Sequence, residues 1–130
     1  MDGAFAAYPL CENTHAHGIL ARTIAPARCA RAVEADAQAE ARRLMDALDY
    51  VGVLTIEFFL TPTGDLIANE MAPRVHNSGH WTIEAAMTSQ FEQHIRAIAG
   101  WPLGPTTQLF GVEMLNLIGA DSNDWARHAA

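Results

Sequence analysis

The stretch at residues 51–71, VGVLTIEFFLTPTGDLIANEM, decides the fold. Residues 51–60 are rich in β-branched and aromatic side chains, PTGD is a cluster of turn residues, and LIANEM resumes the strand pattern. The stretch therefore predicts a β-hairpin. If its turn is centred between Thr63 and Gly64, Glu57 lies directly opposite Glu70.

Two opposed glutamates on one hairpin suggest chemistry. Directly opposed side chains in an antiparallel pair have Cβ atoms about 4.5–5.5 Å apart, and like charges at that separation repel. The carboxylates can share a proton, which raises the pKa of one of them, or they can share a divalent cation. Ligands that are all oxygen suit Mg²⁺. A solvated hairpin face carrying two unrelated glutamates is the alternative, and the spacing leaves both interpretations open.

The loop after the hairpin, APRVHNSGH at 72–80, concentrates groups that suit an anion. Arg74 offers a planar fork for carboxylate or phosphate oxygens, and His76 can move protons near neutral pH. Gly79 lets the backbone approach a ligand closely, and the helix predicted to follow presents free amides to an anion. Further donors are Asn77, Ser78 and His80. A polar surface turn with a helix cap is the alternative, but it accounts less simply for the arginine and both histidines.

The rest of the chain predicts an α+β fold. Residues 4–11 and 18–24 are short β-tolerant runs separated by the polar ENTHAH, and residues 28–48 have the apolar periodicity of an amphipathic helix. A last apolar run at 108–119 predicts a strand. A second helical stripe ends before Gly100 and Pro102, and it consists of Ile83, Met87, Phe91, Ile95 and Ile98.

Composition limits the classes of partner. The 130 residues are enough for about one domain, and the net charge of -7 argues against a nucleic-acid backbone as a partner. No apolar run is long enough for a membrane span, and no secretory signal is recognisable, so a cytoplasmic setting is expected. Cys11 and Cys29 are expected to be reduced thiols. All eight basic residues are arginine.

Several segments resemble a known family. YPLCENTHAHGIL at 8–20, APRVHNSGHWT at 72–82, SQFEQH at 89–94 and EMLNLIG at 113–119 are similar to the carboxyaminoimidazole ribonucleotide synthetases of purine biosynthesis, which are members of the ATP-grasp superfamily. The resemblance runs through nearly the whole chain, and its central motif is long and specific. It implies a ligase that uses ATP to activate bicarbonate as carboxyphosphate and then carboxylates the amine of aminoimidazole ribonucleotide.

The resemblance also implies roles for individual residues. Glu57 and Glu70 would hold Mg²⁺ against the ATP phosphates, and Asn69 would lie with Glu70 at the nucleotide site. His15 would belong to the same nucleotide environment. The segment facing the bicarbonate-derived intermediate would be Arg74, His76 and Asn77.

Two departures from the family pattern define what to expect of this chain. Many ATP-grasp enzymes carry an asparagine where Ala72 stands, and no lysine is present to contact phosphates. The expected architecture is the second half of an ATP-grasp module, an antiparallel sheet with two helices on one face. Residues 1–104 would form this half and residues 105–130 the start of a small C-terminal domain. A missing N-terminal half, or self-association, would then complete the molecule.

Three functions stay open at this point. The first is a segment of the carboxylating synthetase, and the second is a relative such as a formate-using transformylase or a biotin-dependent carboxylase. HNSGHW argues against the second. The third is a truncated half without catalytic activity, and the retained motifs do not separate it from the first.

Overall fold

The computed structural model describes residues 3–128, in which five antiparallel strands form two sheets. Strands β1 (Glu12–Ala16), β2 (Ile19–Ala25) and β5 (Val112–Leu115) make one sheet in the order β1-β2-β5. Strands β3 (Thr55–Leu60) and β4 (Leu66–Ala72) make a separate hairpin. The α+β class is confirmed, whereas the single sheet expected from the sequence is divided in two.

The first hairpin lies further along the chain than its apolar run predicted. Residues 3–11 have no regular secondary structure, and the polar segment ENTHA forms β1. The reason is the turn, since His17 (φ 53°) and Gly18 (φ 76°) both adopt the positive φ of a two-residue hairpin turn. The preceding segment packs on the core instead, where the Tyr8 hydroxyl donates to the Thr88 carbonyl at 2.8 Å.

The first helix follows the prediction closely. Helix α1 spans Arg31–Ala47, and Ala37 on its apolar side is buried. The Glu34 carboxylate accepts a hydrogen bond from the Leu10 amide at 3.3 Å, which ties the helix to the segment before β1.

The second helix is broken, contrary to the prediction. Helix α2 spans Thr82–Ala85, Ala86 is extended and bridges to Gln108, and helix α3 spans Gln90–Ile98. Ser89 caps α3 by accepting from the Glu92 amide at 3.2 Å, and a cap of this kind starts a new helix. The predicted apolar stripe is 39–58% exposed: Ile83, Met87, Phe91, Ile95 and Ile98.

A small core joins the broken helix to the three-stranded sheet. Its buried members are Ala25, Trp81, Ala85 and Ala86, and Tyr8, Cys11, Val112 and Met114 pack against them. Because β5 is hydrogen-bonded to β2, the segment after residue 104 is continuous with this sheet, and the division at 104/105 stays a prediction. No helix in residues 3–128 is both long and apolar enough to cross a bilayer.

Candidate functional site

The hairpin pairs the two glutamates as predicted. Glu57 lies opposite Glu70 in the ladder, and the neighbouring pair is Phe58 with Ala68. Asn69 is therefore an extra residue in a β-bulge. The connection runs from Leu60 to Leu66, so its centre differs slightly from the predicted one. The extra residue compensates for that difference and restores the opposition of the carboxylates.

Asn69 and Glu70 also line one wide, open groove, together with Glu57 and His15. Four predicted site residues from β1, β3 and β4 therefore border the same space.

A third ligand group joins the glutamates. Glu57, Glu70 and His76 each offer one ligand atom, and these three atoms lie within 4.8 Å of one another. Glu57 and His76 are partly buried, and Glu70 is exposed. Two carboxylates at this separation supply hard oxygen donors of the kind that Mg²⁺ takes from protein. The paired acidic groups thus fit a divalent cation.

The loop that carries His76 is fixed by a buried glutamine. The His76 amide donates to Gln90 Oε1 at 2.9 Å, and Gln90 Nε2 donates to the His76 carbonyl at 2.6 Å. The Gln90 amide donates to Thr82 Oγ1, which donates in turn to the Gly79 carbonyl at 2.6 Å. Gln90 was not predicted as a site residue. The sequence signal that could have identified it is the recurrence of two polar residues, Gln90 and Gln93, within an apolar helical pattern.

Gly79 is required by this clamp. A Cβ atom built on it would lie 2.5 Å from Gln90 Oε1 and 2.8 Å from Gln90 Cδ. The close approach predicted for a ligand is, in the structure, an approach to the Gln90 side chain. Glycine therefore serves the packing of the loop.

Ser78 orients the His76 ring through contacts with its Nδ1 atom. Ser78 Oγ lies 2.9 Å from His76 Nδ1, and the buried Ser78 also donates its amide to that nitrogen at 3.3 Å. The Cys11 thiol contacts the Ser78 carbonyl at 3.7 Å. Burial raises the pKa of Cys11 to about 11, so the thiol is neutral at physiological pH.

Three other loop residues have different surroundings. Arg74 is exposed, donates to the Val75 carbonyl at 2.9 Å, and forms no salt bridge with a residue that the structure describes. Asn77 starts a short 3₁₀ helix, Asn77–Gly79, and accepts from the His80 amide. The His80 ring packs 5.5 Å from the Phe91 ring. The roles of Arg74 and Asn77 in anion binding stay predictions.

The structure combines an acidic hairpin with a neighbouring polar loop in an α+β domain. This arrangement makes the chain a candidate for a domain that binds a cation and an anion side by side. Residues 1–91 match the family model of the ATP-grasp domain. The chain belongs to the ATP-grasp family.

Curated relatives and solved structures refine this assignment. The chain is 54% identical over 120 residues to an N5-carboxyaminoimidazole ribonucleotide synthase of Brucella melitensis, which is 92% of this chain and 33% of the relative. It is 57% identical to the N5-carboxyaminoimidazole ribonucleotide synthetase structure from Thermus thermophilus, with a TM-score of 0.85 over 87% of this chain and 31% of that one. The synthase from Aspergillus clavatus, in complex with ADP and 5-aminoimidazole ribonucleotide, is 38% identical, with a TM-score of 0.83 over 94% of this chain and 34% of that one. The chain spans about a third of the length of these relatives.

Proposed function

We propose that the chain supplies the metal–nucleotide and carboxyphosphate side of an ATP- and bicarbonate-dependent ligase that carboxylates aminoimidazole ribonucleotide. The observation that carries the proposal is the convergence of Glu57, Glu70 and His76. Its support from outside the chain is the relative that holds ADP and 5-aminoimidazole ribonucleotide together. The cytoplasmic setting of this purine-biosynthetic activity is part of the proposal.

The residues divide the work between the hairpin and the loop. Glu57 and Glu70 would hold Mg²⁺, which when bound neutralises charge on the ATP phosphates. Asn69 and His15, which both line the groove, bind and orient the nucleotide. His76 and Asn77 hold the bicarbonate-derived anion, and the planar fork of Arg74 suits the same oxygens.

The 130-residue polypeptide alone is proposed to be inactive. Phosphoryl transfer depends on positioned positive charge, and these residues include no lysine. Its cations are arginines, and six of the eight are paired with carboxylates within the described residues. The groove therefore needs cationic groups from outside this segment.

A chimera tests the proposal. The matched third of the Brucella melitensis relative is replaced by this chain, and ADP release is measured with and without bicarbonate and aminoimidazole ribonucleotide. We expect release that requires both substrates and that Glu70→Gln abolishes, while Glu84→Gln, an exposed carboxylate on α2, leaves it unchanged. A folded chimera without substrate-dependent release would contradict the proposal.

A further inference from the structure

We propose that Glu57, Glu70 and His76 bind a divalent transition-metal ion of the Zn²⁺ and Co²⁺ class in the absence of nucleotide. The inference shares its site with the proposed function and rests on that function for the placement of Mg²⁺ between the glutamates. It goes further by assigning His76 as a third protein ligand and by changing the kind of cation that these side chains prefer when no nucleotide is bound.

The geometry of the three side chains suits such an ion. Their ligand atoms lie within 4.8 Å of one another, and the ligands of a tetrahedral site with bonds of about 2.0–2.2 Å are roughly 3.3–3.6 Å apart. Small rotations of two glutamate side chains close that difference. Three protein ligands with one open position is a common arrangement for zinc bound by histidine and carboxylates.

The imidazole determines the preference for a transition metal. Mg²⁺ keeps several waters and takes few protein ligands, nearly all of them oxygen, whereas imidazole suits Zn²⁺, Co²⁺ and related ions. On the face of β4 that carries Glu70, the next residue is Ala72, which has no donor side chain. Among the histidine, cysteine and acidic side chains of the described residues, the third group that clusters with the two glutamates is His76 of the loop.

The surroundings of His76 prepare its ring for a metal. Nδ1 accepts from the Ser78 amide at 3.3 Å and lies 2.9 Å from Ser78 Oγ, so Nε2 is the nitrogen left for a cation. Binding through Nε2 requires the proton on Nδ1, which Ser78 Oγ can then accept in place of the longer amide contact. Metal-binding histidines usually donate their second nitrogen in this way, which fixes the tautomer and the ring orientation. The Gln90 clamp holds the His76 backbone through two further hydrogen bonds. The ring is thus positioned before any ion arrives.

Occupancy by such an ion has a consequence for the proposed reaction. An imidazole that coordinates a cation is withdrawn from the bicarbonate-derived anion, and the same ion occupies the glutamates needed for Mg²⁺. A transition-metal ion at this site is therefore an inhibitor of the ligase that competes with the magnesium–nucleotide complex.

The test is a titration of the purified 130-residue chain with Co²⁺ in the absence of nucleotide, followed by visible absorption and repeated in competition with Zn²⁺ and Mg²⁺. We expect one Co²⁺ per chain, displaced by Zn²⁺ at lower concentration than by Mg²⁺. His76→Ala should weaken Co²⁺ binding about 10- to 100-fold and leave Mg²⁺ binding within about twofold. His80→Ala, a histidine of the same loop outside the cluster, should change neither.

Circular dichroism checks that each variant is folded. If His76→Ala does not fold, His76→Gln takes its place. Co²⁺ binding that His76→Ala and His76→Gln leave unchanged, or that His80→Ala weakens equally, would overturn the inference. The two proposals fail separately. An active chimera with a Co²⁺ site independent of His76 refutes only this one, and an inactive chimera with a His76-dependent site refutes only the proposed function.

Discussion

The side-chain amide of Gln90 binds both backbone polar groups of His76, with distances of 2.9 Å from the His76 amide and 2.6 Å to its carbonyl. Gln93 makes the same pair of bonds to Gly104, each at 2.8 Å. Both glutamines are buried in α3, but only Gln90 holds the loop beside the two glutamates. One helix thus offers a site variant and its matched control.

Replacement of either glutamine by leucine should destabilise the fold, whereas only one replacement should loosen the loop. Each variant leaves a backbone amide and a carbonyl without their partner, which costs about 1–3 kcal/mol for each buried group. Amide hydrogen exchange measured by NMR should accelerate at His76 in Gln90→Leu and at Gly104 in Gln93→Leu. Equal acceleration at His76 in both variants would contradict a local clamp.

Gly79→Ala should destabilise the chain by about 1–3 kcal/mol, because the new methyl group would lie 2.5 Å from Gln90 Oε1. Gly111→Ala is the control, since its nearest neighbour would be the Ala25 carbonyl oxygen at 4.0 Å. Urea unfolding of both variants measures the difference. A Gly79→Ala protein as stable as Gly111→Ala would mean that the Gln90 side chain moves aside without cost.

The Cys11 thiol should react slowly with a thiol reagent. Burial raises the pKa of Cys11 to about 11, so roughly one molecule in a thousand carries the thiolate at pH 8, and only the thiolate is nucleophilic. Titration with a disulfide reagent at pH 8 should show a slow thiol that persists in Cys29→Ser and disappears in Cys11→Ser. The slow rate should rise with pH up to about 11. A single fast phase in Cys29→Ser would contradict this prediction.

Alkaline pH should destabilise the fold partly through Tyr8. Burial, and secondarily the charge of Glu92, raises the pKa of Tyr8 from 10.0 to about 12. Because the folded-state pKa is the higher one, this contribution to stability is fully present below pH 10 and is lost as pH rises through about 12. Unfolding free energies of the native chain and Tyr8→Phe between pH 9 and 11.5 should show a shallower decline in the variant. Parallel curves would exclude Tyr8 as a cause.

The exposed apolar side of α3 should make the isolated chain self-associate. Phe91, Ile95 and Ile98 are 39–56% exposed there, and contiguous apolar surface of this kind usually contacts another molecule. Sedimentation should show mass above 14.1 kDa that increases with concentration and falls in Ile95→Glu. Ala35→Glu on the exposed side of α1 should have no effect. A compact monomer at micromolar concentrations would contradict the prediction.

Local sequence signals predicted the hairpin and helix α1 well. Turn residues and alternation placed Glu57 opposite Glu70, and the periodicity of α1 placed its bounds within a few residues. The Asn69 bulge was not predictable, because an extra residue in one strand leaves no mark on composition. The correct pairing arose because the bulge offset a small error in the assumed turn centre.

Other features depended on tertiary contacts that periodicity does not report. The apolar stripe of the second helix indicated its buried side, yet the structure buries Gln90 and Gln93 and exposes Ile95. The glutamines are buried because each one satisfies a loop backbone, which outweighs their polarity. Likewise, the apolar residues 4–11 are not a strand. The turn at His17 and Gly18 pairs the polar residues 12–16 with β2 instead.

Because of the bulge at Asn69, the hairpin can be one residue shorter without separating the two glutamates. Deleting Asn69 would join Glu70 directly to Ala68 and leave it opposite Glu57, because an uninterrupted ladder from the Phe58–Ala68 pair reaches Glu57 at the next step. Asn69 is thus a one-residue insertion that adds an amide to the groove while the acidic pair keeps its place. When a related hairpin is one residue shorter here, the gap in its alignment belongs at position 69.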